Sequence, residues 1–200
     1  MSSFDSERST EYECEITSVH SVIIRAISQI LSSIISRNKA LYNYISLLNK
    51  QSVNLFNAKY PPVISICDYL ERIVQYSKIE EETLISALIY IDHLCNETHI
   101  MLTEYNVHRI LFTACLLSIK YNEDEIFNME YYAQICGVKT KELHRLESFF
   151  CDSLHFQLYI SEEEFLKYQQ YLYNENKVDS KDTILMEYEG DVSMLLYHTS

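Results

Sequence analysis

The sequence predicts an all-α chain, and three observations carry that prediction. Glycine and proline number only two each in 200 residues, and the two prolines are adjacent at Pro61-Pro62. Strand-rich folds need many tight turns, and turns lean on those two residue types. Apolar residues recur three and four apart in segment after segment, which is the period of one helix face. Residues suited to helix ends bracket most of those segments: Thr103, Asn128 and Ser161 as starts, Gly137 as a stop. A chain of 200 residues that is 48% hydrophobic is one ordinary domain with enough material for a core.

Residues 1–15 are polar and acidic, and the composition predicts disorder there. Ile16, Val19, Val22, Ile23, Ala26, Ile27, Ile30, Leu31, Ile34 and Ile35 then form one helical stripe, which the cationic run Arg37-Asn38-Lys39 stops. Residues 16–60 therefore read as an N-terminal helix followed by a linker. Within 40–60, Leu41, Tyr44, Ile45 and Leu48 give a weaker pattern and predict partial helix. After Pro61-Pro62 come five helices. The first spans about Ser65 to Tyr76, striped by Ile66, Tyr69, Leu70 and Ile73. The second follows Glu80-Glu81-Glu82, three carboxylates suited to the positive end of a helix dipole, and carries Leu84, Leu88, Ile91 and Leu94. The third is expected to start after Thr103 as N-cap and to run to about Tyr121. Small residues at Ala114, Cys115 and Ser118 allow close approach, so this helix is expected at the centre. The fourth runs from Asn128 to Cys136 and ends at Gly137. The fifth opens at Thr140 and carries Leu143, Leu146, Phe150 and Leu154. Ser161 through Glu164 form a capping box that opens one more helix, ending near Tyr173. Residues 61–173 thus form the main unit, and 174–200 read as a flexible acidic tail.

The formal net charge of −13 argues against nucleic acid and anionic membranes as partners, because both are bound by Lys and Arg neutralising phosphate. It favours a protein partner with a basic contact surface. The apolar run from Val19 to Ile35 is interrupted by Arg25, Gln29 and serines, which suits an amphipathic helix and not a membrane span. Six cysteines at 14, 67, 95, 115, 136 and 151 form no CxxC pair, and the N-terminus MSSFDSERST is polar. Reduced thiols in the cytoplasm or nucleus are the expectation.

No signature of catalysis stands out. The scarcity of glycine argues against Rossmann and P-loop sites, and no serine sits in a nucleophile elbow. His93, Cys95 and His99 fit no standard zinc spacing, so neither a metal nor any other cofactor is expected. His108-Arg109 reads as a structural pair. Two charges do stand out. Glu147 lies on the apolar stripe of the fifth helix between Leu143 and Phe150, and Lys120 flanks the apolar face at the end of the third. A buried charge needs a partner. Spacing leaves open whether the two pair with each other, reach water, or face a groove for another protein.

Several motifs, in order along the chain, resemble the cyclin box of the P/U-type cyclins, the family of the yeast phosphate-pathway cyclin. Pro62-Val63-Ile64-Ser65-Ile66-Cys67-Asp68-Tyr69-Leu70-Glu71-Arg72-Ile73 is similar to the family's P.ISI.DYL.RI opening, and Tyr90-Ile91-Asp92 to its YIDR element. His108 to Ala114, followed by Ser118-Ile119-Lys120-Tyr121-Asn122-Glu123-Asp124, resembles the third helix of the box. Tyr132 to Val138 resembles the YAKVGGV segment, Leu143 to Phe150 the ELN.LE..FL pattern, and Leu154 to Ser161 the L.F.L.VS..E ending. The resemblance covers about residues 62–172, and the helix at 16–36 also resembles the family's N-terminal helix. It departs where F.DD.YYNN becomes Tyr121 to Met129, and where Gly-Gly becomes Cys136-Gly137.

The resemblance implies a single five-helix cyclin box with a helix added at each end. It implies a regulatory subunit that binds and allosterically activates a cyclin-dependent Ser/Thr kinase and influences its substrate choice. A cyclin-fold scaffold that binds without activating is the alternative. The kinase-contacting lysine and glutamate of the family fall on Lys120 and Glu147. Glu123 and Asp124 match its acidic pair, and Phe112, Leu116, Phe150 and Leu154 are the expected apolar lining on the third and fifth helices.

Overall fold

The computed structural model describes residues 21–39 and 54–175, with the side chain of Glu175 left aside. Within them the chain forms seven helices and no strands: α1 (21–39), α2 (Ile66–Ser77), α3 (Glu81–Thr98), α4 (Val107–Asn122), α5 (Met129–Cys136), α6 (Thr140–Ser153) and α7 (Glu162–Glu175). The disorder expected at 1–15 and most of the tail expected at 174–200 lie outside the described residues.

α3 and α4 form the central pair, antiparallel neighbours packed along their lengths. The expectation of a central third helix holds, and α3 shares the position. Its run Thr83–Asp92 is buried without a break, so it has no solvent face there. Close approach is allowed by Ala87 and Ala114 and fixed by Ser118, whose hydroxyl donates to the Thr83 carbonyl at 2.8 Å. Around this pair lie α1, with Ile23, Ile27, Leu31 and Ile34 buried, α2 and α5 on one side, α6 across α4, and α7 against α3.

The local signals set most helix ends. Ser65 caps α2 by accepting the Asp68 amide at 3.1 Å, while its own hydroxyl donates to the Asp68 carboxylate at 2.8 Å. Asn128 caps α5 through the Tyr131 amide at 2.9 Å, and Gly137 closes it at φ 78°, the left-handed region glycine adopts without cost. Ser161 accepts the Glu164 amide at 3.2 Å at the start of α7.

One expectation is corrected. α4 is capped at Asn106, not at Thr103. The Asn106 carboxamide accepts the Thr103 amide at 2.8 Å and donates to the Met101 carbonyl at 2.9 Å, so residues 103–106 form a turn ahead of the helix. The residues that carry the weaker helical pattern expected in the linker, Leu41 to Leu48, lie outside the described residues, and the described end of that segment, 54–60, forms turns. There the Asn54 side chain accepts the Phe56 amide at 3.0 Å, a local bond that competes with helix. Phe56 is buried, with its ring edge-on to Phe149 and Phe150 at 5.6 and 5.9 Å.

Polar contacts pin α7 to α3. Tyr168 donates its hydroxyl to the buried Asp92 carboxylate, Tyr173 donates to Glu81, and His93 Nε2 meets Glu164 Oε1 at 2.8 Å. Burial first, and then the Asp92 charge, push the Tyr168 phenol far above its ordinary range, so it stays a donor. His108 Nε2 meets the Ile64 carbonyl at 2.9 Å, and Arg109 donates to the Asn57 carbonyl at 2.9 Å and pairs with Glu142 at 2.8 Å. Both therefore tie α4 to its surroundings. The five described cysteines are all free thiols. Among the described residues no helix is long and apolar enough to cross a membrane.

Two consequences for stability follow. Tyr168→Phe removes a donor from a buried carboxylate and is expected to cost about 1–3 kcal/mol, read as a lower urea midpoint at unchanged slope. Burial also holds the His108 pKa below its ordinary 6.5, with the Ile64 carbonyl opposing the shift. As pH falls through about 6.5 the unfolded chain takes up a proton that the folded chain refuses. This contribution is therefore complete above that pH and declines below it, down to the lowered folded value. In urea titrations from pH 7.5 to 5, His108→Asn is expected to lose less stability than the parent protein.

Candidate partner-binding surface

The two charges singled out in the sequence meet. α4 ends at Asn122 and α6 crosses it, which brings the Lys120 ammonium onto the Glu147 carboxylate as a hydrogen-bonded ion pair. His144, one turn back on α6, places Nδ1 3.8 Å from the other oxygen of Glu147. The Glu147 side chain keeps 15% of its exposure and Lys120 32%, so the pair lies at the surface of the core and is not sealed within it. Pairing explains how the apolar stripe of α6 tolerates a carboxylate. It also leaves both groups accessible from one side.

The expected apolar lining lies elsewhere. Phe112, Leu116, Phe150 and Leu154 are all buried, among the interior side chains of α4 and α6. They support the surface from beneath and do not line it. The physical reason is the helical period: four residues on the inner stripe of two helices that face each other are consumed by that packing. Glu123 has a local task, accepting the Glu80 amide at 3.1 Å ahead of α3, where three carboxylates crowd the helix start. Asp124 is exposed beside it.

Three accessible groups close to the pair along the chain were not named as contacts in the sequence. Tyr121, which follows Lys120, is 52% exposed. Cys151, one turn after Glu147, is half-buried. Its thiol is pushed up by burial first, then by Glu147 and Asp152, against an opposing pull from Lys120, which places it within reach of both charges. Phe156 is 69% exposed. Its backbone is left-handed at φ 58°, as is that of His155 at φ 52°. Two consecutive non-glycine residues in that region cost about 1–2 kcal/mol each. The turn is held by the Phe156 amide donating to the Cys151 carbonyl at 2.9 Å and the His155 amide to Asp152 at 3.0 Å. Strain held by surrounding hydrogen bonds, with an aromatic ring turned out to solvent, is a pattern of functional surfaces. Helical periodicity says nothing about such a turn, so only the place of Phe156 in the L.F.L motif marked it.

Among the described residues no group of three or more His, Cys, Asp or Glu side chains is placed to hold a metal ion. Cys95 and Cys115 have thiols pushed up to about 12, chiefly by burial, which leaves them as protonated core groups.

Among the described residues, five helices surround a central pair, with an ion pair where α4 and α6 meet, which defines an all-α helical module. The cyclin family model matches residues 17–158, most of the chain and all of α1 to α6. The chain belongs to the cyclin family. Its relatives are of the U and P types. It is 39% identical over 137 residues to Cyclin-U3-1 of Arabidopsis thaliana, covering 68% of this chain and 62% of that one. It is 31% identical over 164 residues to Cyclin-U4-1 of the same plant, covering 82% and 80%. Against Cyclin-P3-1 of Oryza sativa subsp. japonica it is 33% identical over 141 residues, covering 70% and 60%. The chain thus spans about three fifths of the length of the first and third of these.

The strength of the Lys120–Glu147 pair is open to measurement. A double-mutant cycle with Lys120→Met and Glu147→Gln is expected to return a coupling of about 1 kcal/mol, the scale of a partly exposed pair. Chemical denaturation at low salt and at 1 M NaCl should show the coupling shrink at the higher salt.

Proposed function

We propose that this chain is the regulatory subunit of a cyclin-dependent Ser/Thr kinase, which it binds through Lys120, Glu147 and the exposed groups around them and thereby activates. Family membership supports a regulatory role. The observation that carries the site is a hydrogen-bonded, surface-accessible ion pair, with exposed Tyr121 following Lys120 on α4 and exposed Phe156 in the turn after α6. Asp124 and the free edge of Glu123 extend the surface on its acidic side.

The chemistry of such a surface is recognition. Lys120 keeps N–H donors, and Glu147 keeps lone pairs, that their mutual bond does not use. They suit backbone carbonyls and amides at the end or edge of a partner element, while Tyr121, Cys151 and Phe156 take apolar side chains. A protein kinase is active when its β3 lysine pairs with a glutamate on its αC helix. A surface complementary to only the inward position of αC shifts the population to the active form. Moving the ratio from 1:99 to 99:1 takes a preference of about 5.5 kcal/mol. An interface of about 1,600 Å² has that differential within its range.

The test is co-purification. Lys120→Ala combined with Glu147→Ala is expected to abolish recovery of the kinase from cell extract while the far-ultraviolet helical signal is retained. Phe156→Ala alone is expected to weaken recovery at least tenfold, about 1.4 kcal/mol or more. Undiminished recovery with the double variant would refute the site. A kinase assay with and without the purified chain separates activation from scaffolding, since a scaffold leaves the rate unchanged.

A further inference from the structure

The groove along the outer face of α6 has a chemistry at odds with the rest of the protein. It measures about 610 Å³ and is floored by Leu55 and Phe149, both half-buried. Lys141, His144 and Arg145 line it, in a chain that carries 29 carboxylates against 16 Lys and Arg. Of these, His144 lies 3.8 Å from Glu147, while the charges of Lys141 and Arg145 are unmatched among the described residues. Glu142 is taken by Arg109 at 2.8 Å and Glu147 by Lys120, so the two carboxylates nearest in sequence to Lys141 and Arg145 are engaged by α4. Among the described residues neither Lys141 nor Arg145 has an ion pair of its own. The hydroxyl residues Thr140 and Ser148 also line the groove, and Asp152 is its one acidic member.

We propose that this groove docks a short phosphorylated segment of a partner protein, with the phosphate between Lys141 and Arg145 and a neighbouring apolar side chain on Leu55 and Phe149. A phosphate at neutral pH carries between one and two negative charges and three acceptor oxygens. It is held best where a guanidinium and an ammonium converge with hydroxyl donors, and these residues supply that set. A long polyanion does not fit. Nucleic acid or an anionic bilayer would extend beyond the groove over a surface of net charge −13 and meet repulsion there. A local dianion on a short peptide escapes it. The site lies outside the Lys120–Glu147 pair and does not depend on the identity of the protein bound there. A phosphorylated protein held in it would sit next to whatever occupies that surface.

The experiment passes the purified full chain over an immobilised degenerate decapeptide library with a fixed central phosphoserine. Matched libraries carry serine or glutamate at that position. Retention on the phosphoserine library is expected to exceed that on either control at least about tenfold, and to fall to the serine level for Lys141→Ala with Arg145→Ala. Ser148→Asp, which adds a like charge at an exposed position, gives the same loss if the double variant fails to fold. Lys120→Ala should leave retention intact, which separates this groove from the kinase site. Equal retention on the glutamate library would overturn the proposal, as would retention that survives both groove variants. So would stronger binding to phosphatidylserine vesicles than to the phosphopeptides.

Discussion

The structure depends on how closely α3 and α4 approach. Ala87, Ala114 and Ser118 give the room, and the Ser118 hydroxyl on the Thr83 carbonyl ties the two helices at a buried point where water cannot compete. A hydroxyl there must be satisfied within the protein, so the bond fixes which residues face each other as well as the distance. The other described helices pack around that pair. α6 packs on α4, and its Leu143, Leu146 and Phe150 belong to the same core as Leu111. That crossing decides that Lys120 and Glu147 are within reach of each other.

Charge is arranged by the same crossing. α6 carries carboxylates and cations in alternation, and its neighbours choose among them. Arg109 of α4 takes Glu142, and Lys120 of α4 takes Glu147. Lys141 and Arg145 remain exposed to solvent. A helix whose sequence reads as evenly mixed therefore presents both an ion pair with a donor–acceptor surface and a cationic groove.

The turn at His155 and Phe156 shows where stability is given up. Two side-chain-bearing residues in the left-handed region are unfavourable on their own. They persist because α6 ends in hydrogen bonds that accept the turn, and because the chain beyond is anchored: the Tyr90 hydroxyl donates to the Leu158 carbonyl at 2.7 Å, and α7 is pinned to α3. The exposed ring is thereby carried on a fixed backbone, which lowers the entropy lost when a partner covers it.

The sequence by itself determined the helical class, the order of the helices, and most of their ends. Those are properties of short range: a 3.6-residue period needs one turn to be recognised, and a cap such as Asn128 or Gly137 acts on its own helix. It also marked Lys120 and Glu147 as charges out of pattern, because burial cost makes such exceptions visible. Where local signals compete, as at Thr103 against Asn106 or in the Asn54 turn, hydrogen bonds to residues a few positions away chose between them, and periodicity carries no record of that choice. What only the tertiary structure decided is which side of each stripe remains open. Phe112, Leu116, Phe150 and Leu154 have the chemistry of a docking surface, yet helix-on-helix packing buried them. Tyr121 and Phe156 stayed exposed. Exposure of an apolar residue depends on what lies across from it, and that is settled by contacts between segments far apart in the chain.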